Sequence, residues 1–313
     1  MTAHATARPA DLSICICTYK RPAQLDALLA AILAQDTAGK ALECVVVDND
    51  PQRSAAAVLT RWQDHPGLPV RALHERTPNI ALARNAAVHA ATGDWIVFVD
   101  DDEEPEPGWL LHLVAAQQAC GADAVFGPVL PRYAPGTPAW MREGGYFDRP
   151  RYRSGTPITA RDARTGNVLV RREALMSVPG PFDAAYGRTG GSDTVLFGKL
   201  LEQGRKLVWC DEAAVLEDVP PERARLGWIL QRAYRGGQTF VRAEMKRRNG
   251  PTRWALGLYL GLRAGAQLLA AGLLALLTLP GSRTRAVRWL RTAAAQAGKL
   301  AALAGHRYQE YRH

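Results

Sequence analysis

The stretch IVFVDDDEEP, residues 96–105, joins four apolar residues directly to five consecutive carboxylates, and Pro105 ends it. Adjacent carboxylates repel one another where water is partly excluded, so such a cluster requires a cation or a set of hydrogen bonds. Because it offers oxygen atoms and no histidine, it predicts Mg²⁺ or Mn²⁺ rather than zinc, and Mg²⁺ commonly binds one or two carboxylates together with substrate phosphates. The alternative is a solvated acidic loop that caps the next helix.

Short apolar runs alternate with helical patterns around this stretch. The runs are LSICIC (12–17), LECVVVD (42–48), VRALHE (70–75) and DWIVFVD (94–100), separated by helical patterns at about 22–35, 53–63 and 80–91. This alternation predicts an α/β fold with a Rossmann-like, mostly parallel sheet, helices on both faces and ligands at the carboxyl ends of the strands. Thr18, Asp48 and Asp100 stand at those ends, which predicts one polar site at that edge.

After residue 128 the alternating pattern loosens. Residues 131–160 are rich in Pro, Gly, Arg and Tyr, and they predict a long loop over the site. Regular structure is predicted again at 166–175, in a helix at about 193–203, and in strands near 206–210 and 213–217.

Charge is unevenly divided along the chain. The net charge is +9, but residues 219–313 hold 17 basic and three acidic residues, or +14, which leaves −5 for residues 1–218. A basic and aromatic C-terminal part favours an anionic membrane surface or nucleic acid as a partner.

Cysteine usage and the first residues indicate the compartment. The five cysteines are an odd number without CxxC spacing, which fits free thiols in a reducing cytosol. MTAHATARPADLS lacks the apolar core of a secretory signal, so we expect this region to stay in the cytoplasm.

The C-terminal part predicts three helices. A helix is predicted over 221–248, and residues 254–279 then form 26 mostly apolar residues before Pro280, long enough to span a bilayer. Arg263 lies near the middle and basic clusters flank both ends, which disfavours a single crossing. We therefore expect a helix in the cytoplasmic leaflet and a basic amphipathic helix over 283–304. The alternative is a soluble helical hairpin.

Five segments carry a family resemblance. They are SICICTYKRP, VVVDNDP, NIALARNAAVHAATGDWIVFVDDDEEP, TGNVLVRRE and GGSDTVLFGKL, in this order. Together they resemble inverting family 2 glycosyltransferases of the GT-A fold over about residues 11–240. LEDVPPERARLGWILQRAYRGG is similar to bacterial members of the succinoglycan-synthesis type. No G-x-G-x-x-G or P-loop motif supports a dehydrogenase or a P-loop enzyme.

The resemblance implies the roles of five residues near the strand ends. Thr18, Asp48 and Arg84 match positions on the nucleotide side, with Asp48 accepting a hydrogen bond from the base. Asp100 and Asp102 match the ends of the D-x-D motif, which holds Mg²⁺ or Mn²⁺ against the donor diphosphate, and Asp102 is the expected direct ligand.

The resemblance also implies the catalytic group. Asp193 in GGSDT matches the general base that takes the proton from an acceptor hydroxyl in one inverting displacement. The alternative is that Ser192 or Asp193 only caps a helix. Asp218 stands where many relatives have a metal-binding histidine, and we expect it to substitute as a ligand. Trp140, Tyr146 and Tyr152 in the long loop can stack on sugars or anchor the loop.

These patterns predict a short N-terminal tail (1–10), a glycosyltransferase domain (11–249) and a membrane-associating helical segment (250–313). The expected function is transfer of one sugar from a UDP-sugar to a glycan or lipid-linked saccharide in envelope polysaccharide synthesis. The expected location is the inner face of the plasma membrane, and nucleic acid is not an expected partner. The alternatives are a sugar-phosphate nucleotidyltransferase and a non-catalytic nucleotide-binding membrane scaffold.

Overall fold

The computed structural model describes residues 10–37, 39–187, 190–246 and 250–306. These residues form two compact units, a sheet unit from 10–132 and 149–218 and a helical unit from 133–148 and 219–306. Residues 1–9 of the predicted tail and the basic residues Arg247 and Arg248 lie outside the described residues.

The first half of the sheet unit alternates strands and helices as predicted. Its elements are β1 (Leu12–Thr18), α1 (Pro22–Leu33), β2 (Leu42–Asp48), α2 (Ala56–Gln63), β3 (Val70–His74), α3 (Ile80–Ala90) and β4 (Trp95–Val99). The chain continues with further elements, of which α5 belongs to the helical unit. They are β5 (Glu103–Pro105), α4 (Trp109–Cys120), β6 (Ala124–Phe126), β7 (Val129–Tyr133), α5 (Ala139–Arg142), β8 (Asn167–Arg171), α6 (Arg172–Met176), α7 (Ser192–Glu202), β9 (Leu207–Trp209) and β10 (Val215–Val219).

Seven strands form the central sheet in the order β3-β2-β1-β4-β8-β6-β9, and β5-β10-β7 form a second, three-stranded sheet. The mostly parallel sheet is confirmed, with β8 as the strand that runs antiparallel to both of its neighbours. Because β8 is reversed, its first residue, Asn167, pairs with Val99 at the carboxyl end of β4. The residues just before β8 therefore lie beside the acidic cluster.

Helices cover both faces of this sheet. In β1, Ile14 and Ile16 pack toward α1, α2 and α4, while Cys15 packs on the other face with α3, α6 and α7. The cysteines of the described residues are free thiols. Burial raises the pKa of Cys17 to about 12, which keeps that thiol protonated and unreactive.

The helical unit contains α5 and three long helices, α8 (Leu226–Lys246), α9 (Pro251–Thr278) and α10 (Arg283–Leu303). Helix α8 begins five residues later than predicted, because Pro220 starts a turn in which its carbonyl accepts the amides of Arg223 and Ala224. Tyr146 from the predicted loop is buried in this unit and donates to the Thr284 carbonyl at 3.1 Å, so it serves as an anchor.

Helices α8 and α10 cross closely because each has a glycine at the crossing. A Cβ on Gly298 would lie 1.9 Å from the carbonyl oxygen of Tyr234, and one on Gly237 would lie 2.0 Å from that of Ala295. These distances are far below any van der Waals contact, so the two backbones would have to separate.

We expect Gly298→Ala to lower the free energy of unfolding of the helical unit by about 1–3 kcal/mol, the usual cost of overpacking. Gly272→Ala is the matched control, because nothing lies within 4 Å of its added Cβ and helical alanine is favoured by about 1 kcal/mol over glycine. Thermal unfolding followed by circular dichroism compares them. Equal stability of the two variants would contradict the close crossing.

Helix α9 turns one apolar face outward. Its small and apolar residues Leu260, Ala264, Ala271 and Ala275 are buried. The outward face shows leucines and a tryptophan at helical spacing, namely Trp254, Leu258, Leu262, Leu269, Leu273 and Leu276, which are 58–83% exposed. Among the described residues, α9 is the helix long and apolar enough to cross a membrane by length and composition.

Candidate active site

The site forms where β1, β2 and β4 end. Thr18 and Asp48 are paired residues at the ends of β1 and β2, and Asp100 follows β4. Thr18 donates its hydroxyl to Asp101 at 2.8 Å, in a buried contact that joins the first strand to the acidic cluster. The structure thus brings together the strand ends that the sequence predicted to converge.

Asp48 supports the turn before α2. Its two carboxylate oxygens accept the backbone amides of Asp50 at 2.9 Å and Ala55 at 3.0 Å, and the residue is buried. This is the turn role of a residue that follows a strand. Contact of Asp48 with a nucleotide base stays a prediction.

Arg21 neutralises part of the acidic cluster. One of its nitrogens lies 2.9 Å from Asp101 and 2.7 Å from Asp102. Burial raises the pKa of the Asp101 carboxyl, and Arg21 and the Thr18 hydroxyl oppose that rise. The cluster is therefore held by internal cations and hydrogen bonds, as its charge requires.

Arg84 lies between the acidic cluster and Asp193. Its Nη1 is 3.1 Å from Asp193 and its Nη2 is 3.4 Å from Asp100. Burial disfavours the charge on this guanidinium, but Asp100 and Asp193 outweigh it and hold the pKa of Arg84 above its ordinary value. The half-buried Arg84 guanidinium thus joins the predicted base to the predicted D-x-D motif.

Asp193 lies in the first turn of α7. Gly191, at a φ of 104°, precedes this helix, and no side chain caps it. The Asp193 carboxylate instead accepts hydrogen bonds from the Thr165 and Ser192 hydroxyls, each at 3.1 Å, in addition to its contact with Arg84. Neither Ser192 nor Asp193 therefore caps α7 through its side chain, and the Asp193 carboxylate faces the site.

Glu103 supports the turn that carries Asp100. Its Oε2 accepts the Asp100 amide at 2.9 Å, while Oε1 is buried without a partner among the described residues. Burial raises the pKa of Glu103 well above its usual range. A Cβ on Gly166 would lie 2.7 Å from Oε1, so a larger residue there would require this carboxyl group to shift.

Asp100 and Asp102 have the oxygen chemistry that Mg²⁺ and Mn²⁺ prefer, and their side chains are 44% and 28% exposed. Within the part of the chain that the structure describes, no three acidic, histidine or cysteine side chains cluster as a metal cage. Mg²⁺ commonly needs only one or two carboxylates beside substrate phosphates, so the pair fits such an ion.

Asp218 lies on the three-stranded sheet. Both of its carboxylate oxygens accept hydrogen bonds from Arg132, at 2.6 and 3.1 Å, and Arg132 also binds Glu104. Its side chain is 68% exposed, and it forms no described contact with Asp100 or Asp102. Its role as a metal ligand stays a prediction.

The sequence matches the model of a known family, described as "Glycosyl transferase family 2", over residues 13–178. It is also 34% identical over 302 residues to the succinoglycan biosynthesis protein ExoM of Rhizobium meliloti (strain 1021), covering 94% of this chain and 93% of that protein. The chain belongs to glycosyl transferase family 2. A glucosyl-dolichyl phosphate glucuronosyltransferase of Haloferax volcanii is 25% identical over 71% of this chain and 74% of its own.

Solved structures share the fold of this family 2 glycosyltransferase. A mannosyltransferase of Pyrobaculum calidifontis, PcManGT, in complex with GDP-Man and Mn²⁺, superposes with a TM-score of 0.61 at 22% identity, covering 96% of this chain and 89% of that one. S. aureus TarS (residues 1–349) in complex with UDP gives a TM-score of 0.51 at 14% identity, covering 96% and 93%. The predicted GT-A fold is confirmed.

Several polar residues of this glycosyltransferase site have no assigned role in the sequence prediction. They are Arg21, Asp101, Glu103 and Thr165. Arg21 and Thr165 lie inside quoted motifs, but the pairings of Arg21 with Asp101 and of Thr165 with Asp193 join residues 80 and 28 positions apart. The local sequence patterns that predict strands and helices carry no information on contacts between residues so far apart.

Proposed function

We propose that this family 2 glycosyltransferase transfers one sugar from a UDP-sugar to an acceptor hydroxyl, with inversion of configuration at the anomeric carbon. The observation that carries the proposal is the position of Arg84, which contacts Asp193 on one side and Asp100 on the other. These contacts support a shared site for the proposed base and the proposed D-x-D motif at the carboxyl edge of the sheet. The complexes of TarS with UDP and of PcManGT with GDP-Man support a nucleotide sugar as donor.

In this mechanism Asp193 accepts the proton of the acceptor hydroxyl as that oxygen attacks the anomeric carbon. The Thr165 hydroxyl and Arg84 orient the carboxylate. When bound at Asp100 and Asp102, Mg²⁺ or Mn²⁺ would neutralise the charge that builds on the leaving diphosphate. Arg21 holds Asp102 in place beside Asp101.

The proposed acceptor is a lipid-linked saccharide of an exopolysaccharide or related envelope glycan. The similarity to a succinoglycan biosynthesis protein supports a role in polysaccharide synthesis, and the similarity to an enzyme named for dolichyl phosphate supports a lipid carrier. The proposed location is the cytoplasmic face of the membrane, where such carriers and nucleotide sugars meet.

The outward face of α9 supports the membrane assignment. A contiguous row of exposed leucines is unusual for a soluble monomer and is typical of a membrane or protein interaction site. Basic residues flank α9 in the sequence, namely Arg253, Arg283, Arg285, Arg288 and Arg291, and such residues favour anionic lipid headgroups.

We expect Leu262→Gln combined with Leu269→Gln to weaken binding to anionic vesicles by about 100-fold or more. The reason is that each leucine that becomes buried in the membrane contributes about 1.5–3 kcal/mol to binding. Co-sedimentation at low and high salt measures this effect. Leu33→Gln on α1, also an exposed leucine, is the control and should leave binding unchanged. Wild-type protein that stays in the supernatant with every lipid mixture would support the soluble hairpin instead.

A donor screen tests the proposed function. Purified protein is incubated with UDP-linked and GDP-linked sugars, Mn²⁺ and a membrane lipid extract, and release of the nucleoside diphosphate is measured. We expect diphosphate release from a UDP-sugar that increases with the lipid extract. Pyrophosphate release from a nucleoside triphosphate and a sugar phosphate would support the nucleotidyltransferase alternative, and nucleotide binding without turnover would support the scaffold.

A further inference from the structure

A basic and aromatic cavity of ≈ 500 Å³ lies in the sheet unit. Its charged lining residues are Arg149, Arg161, Arg164 and Asp162, so positive charge exceeds negative by two. An excess of this kind inside a cavity favours an anionic ligand, because the nearby protein surface limits screening by water.

The cavity adjoins the candidate active site. Arg164 lines it, and the next residue, Thr165, donates its hydroxyl to Asp193. Asn167 also lines it and pairs in register with Val99, the residue before Asp100. A molecule in the cavity would therefore lie beside the proposed general base.

The cavity lies on the opposite side of the acidic cluster from the predicted nucleotide residues. Its lining residues Phe126, Asn167 and Trp209 belong to β6, β8 and β9, whereas Thr18 and Asp48 belong to β1 and β2. The sheet order places β4, and hence the acidic cluster, between these two groups of strands. The position of the cavity therefore favours binding of the acceptor rather than of the nucleoside of the donor.

Two arginines of the cavity form no salt bridge with a carboxylate of the described residues, although Asp162 also lines the cavity. Arg149 pairs with Glu217, but among the described residues neither Arg161 nor Arg164 forms a salt bridge. Arg164 instead donates to the carbonyls of Arg161 and Ala163, both at 3.0 Å. These guanidiniums are exposed at the cavity, where a ligand phosphate or carboxylate can accept their hydrogen bonds.

Aromatic rings complete the cavity. Tyr152 and Trp209 meet edge to face at 5.5 Å, and the Trp209 indole donates to Asp211 at 3.1 Å, which fixes its orientation. Such rings provide an apolar surface for the C–H face of a sugar.

We propose that this cavity binds an anionic saccharide, with Arg161 and Arg164 pairing with its phosphate or carboxylate and Tyr152 contacting its sugar ring. The proposal rests on the proposed function, because that saccharide would be the acceptor of the transfer. It adds a charge requirement: the acceptor carries negative charge close to the accepting hydroxyl.

Ligand-observed NMR titration of the full-length protein tests the proposal with three probes: glucose 1-phosphate, glucuronic acid and glucose. Titrations with and without UDP and Mn²⁺ separate the cavity from the donor site. We expect at least one anionic probe to bind about tenfold more tightly than glucose at low salt, and less so at high salt. A preference for the phosphate or for the carboxylate identifies the source of the charge.

The combined variant Arg161→Gln and Arg164→Gln should remove this preference. Arg153→Gln is the matched control, since Arg153 is an exposed arginine of the same segment that does not line the cavity. Equal affinity of the wild type for all three probes would overturn the proposal even where UDP binds normally. So would a loss of the anion preference in Arg153→Gln as large as in the double variant. Failure of UDP to bind, with the anion preference intact, would count against the proposed function alone.

Discussion

Transfer by the Asp193→Asn variant is expected to fall by about 10²-fold to 10⁴-fold, the range for loss of a general base. Asparagine keeps the size of the side chain and its contacts with Thr165, but its amide cannot accept the proton of the acceptor hydroxyl. Donor affinity should stay close to that of the wild type, because Asp100 and Asp102 are unchanged. Initial rates of diphosphate release and calorimetric titration with UDP and Mn²⁺ measure the two effects.

Asp26→Asn is the control for this variant, because Asp26 pairs with Arg61 and the Trp62 indole outside the site. It should transfer sugar at the wild-type rate. Near-normal turnover by Asp193→Asn would contradict the assignment of the base. Circular dichroism should show that both variants remain folded.

The Asp102→Ala variant is expected to lose metal-dependent donor affinity by at least about 10-fold to 100-fold, the cost of removing even an indirect partner of a bound metal. One carboxylate, Asp100, would then face the cation and the diphosphate. Arg21 would keep its contact with Asp101, so the turn itself should persist. Calorimetry with UDP, measured with Mn²⁺ and with a chelator, separates the metal-dependent part of binding.

Glu104→Ala is the matched control within the same acidic run. Glu104 contacts Arg132 rather than Arg21, and its side chain is 51% exposed. We expect its affinity for UDP with Mn²⁺ to match the wild type. Unchanged affinity and metal dependence in Asp102→Ala would remove the D-x-D assignment.

The sequence predicts the strands, the helices and the edge where the site forms, because these follow from local periodicity. Four apolar runs become β1 to β4, and their polar ends meet because parallel strands share one carboxyl edge. Motif resemblance then assigns roles to Asp100, Asp102 and Asp193. Those roles stay predictions until the variants above are measured.

The contacts that organise the site depend on folding over long sequence distances. Arg84 and Asp193 are 109 residues apart, and Thr18 and Asp101 are 83 apart. The reversed direction of β8, which brings Thr165 to Asp193, also has no local signature. These features arise from tertiary packing, so strand and helix patterns alone cannot predict them.

The stereochemistry of the transferred sugar tests the central claim most directly. Proton NMR of the first product formed from the donor that the screen identifies gives the configuration at the anomeric carbon. A single displacement assisted by Asp193 predicts inversion relative to the nucleotide sugar. Retention of the donor configuration would contradict the mechanism.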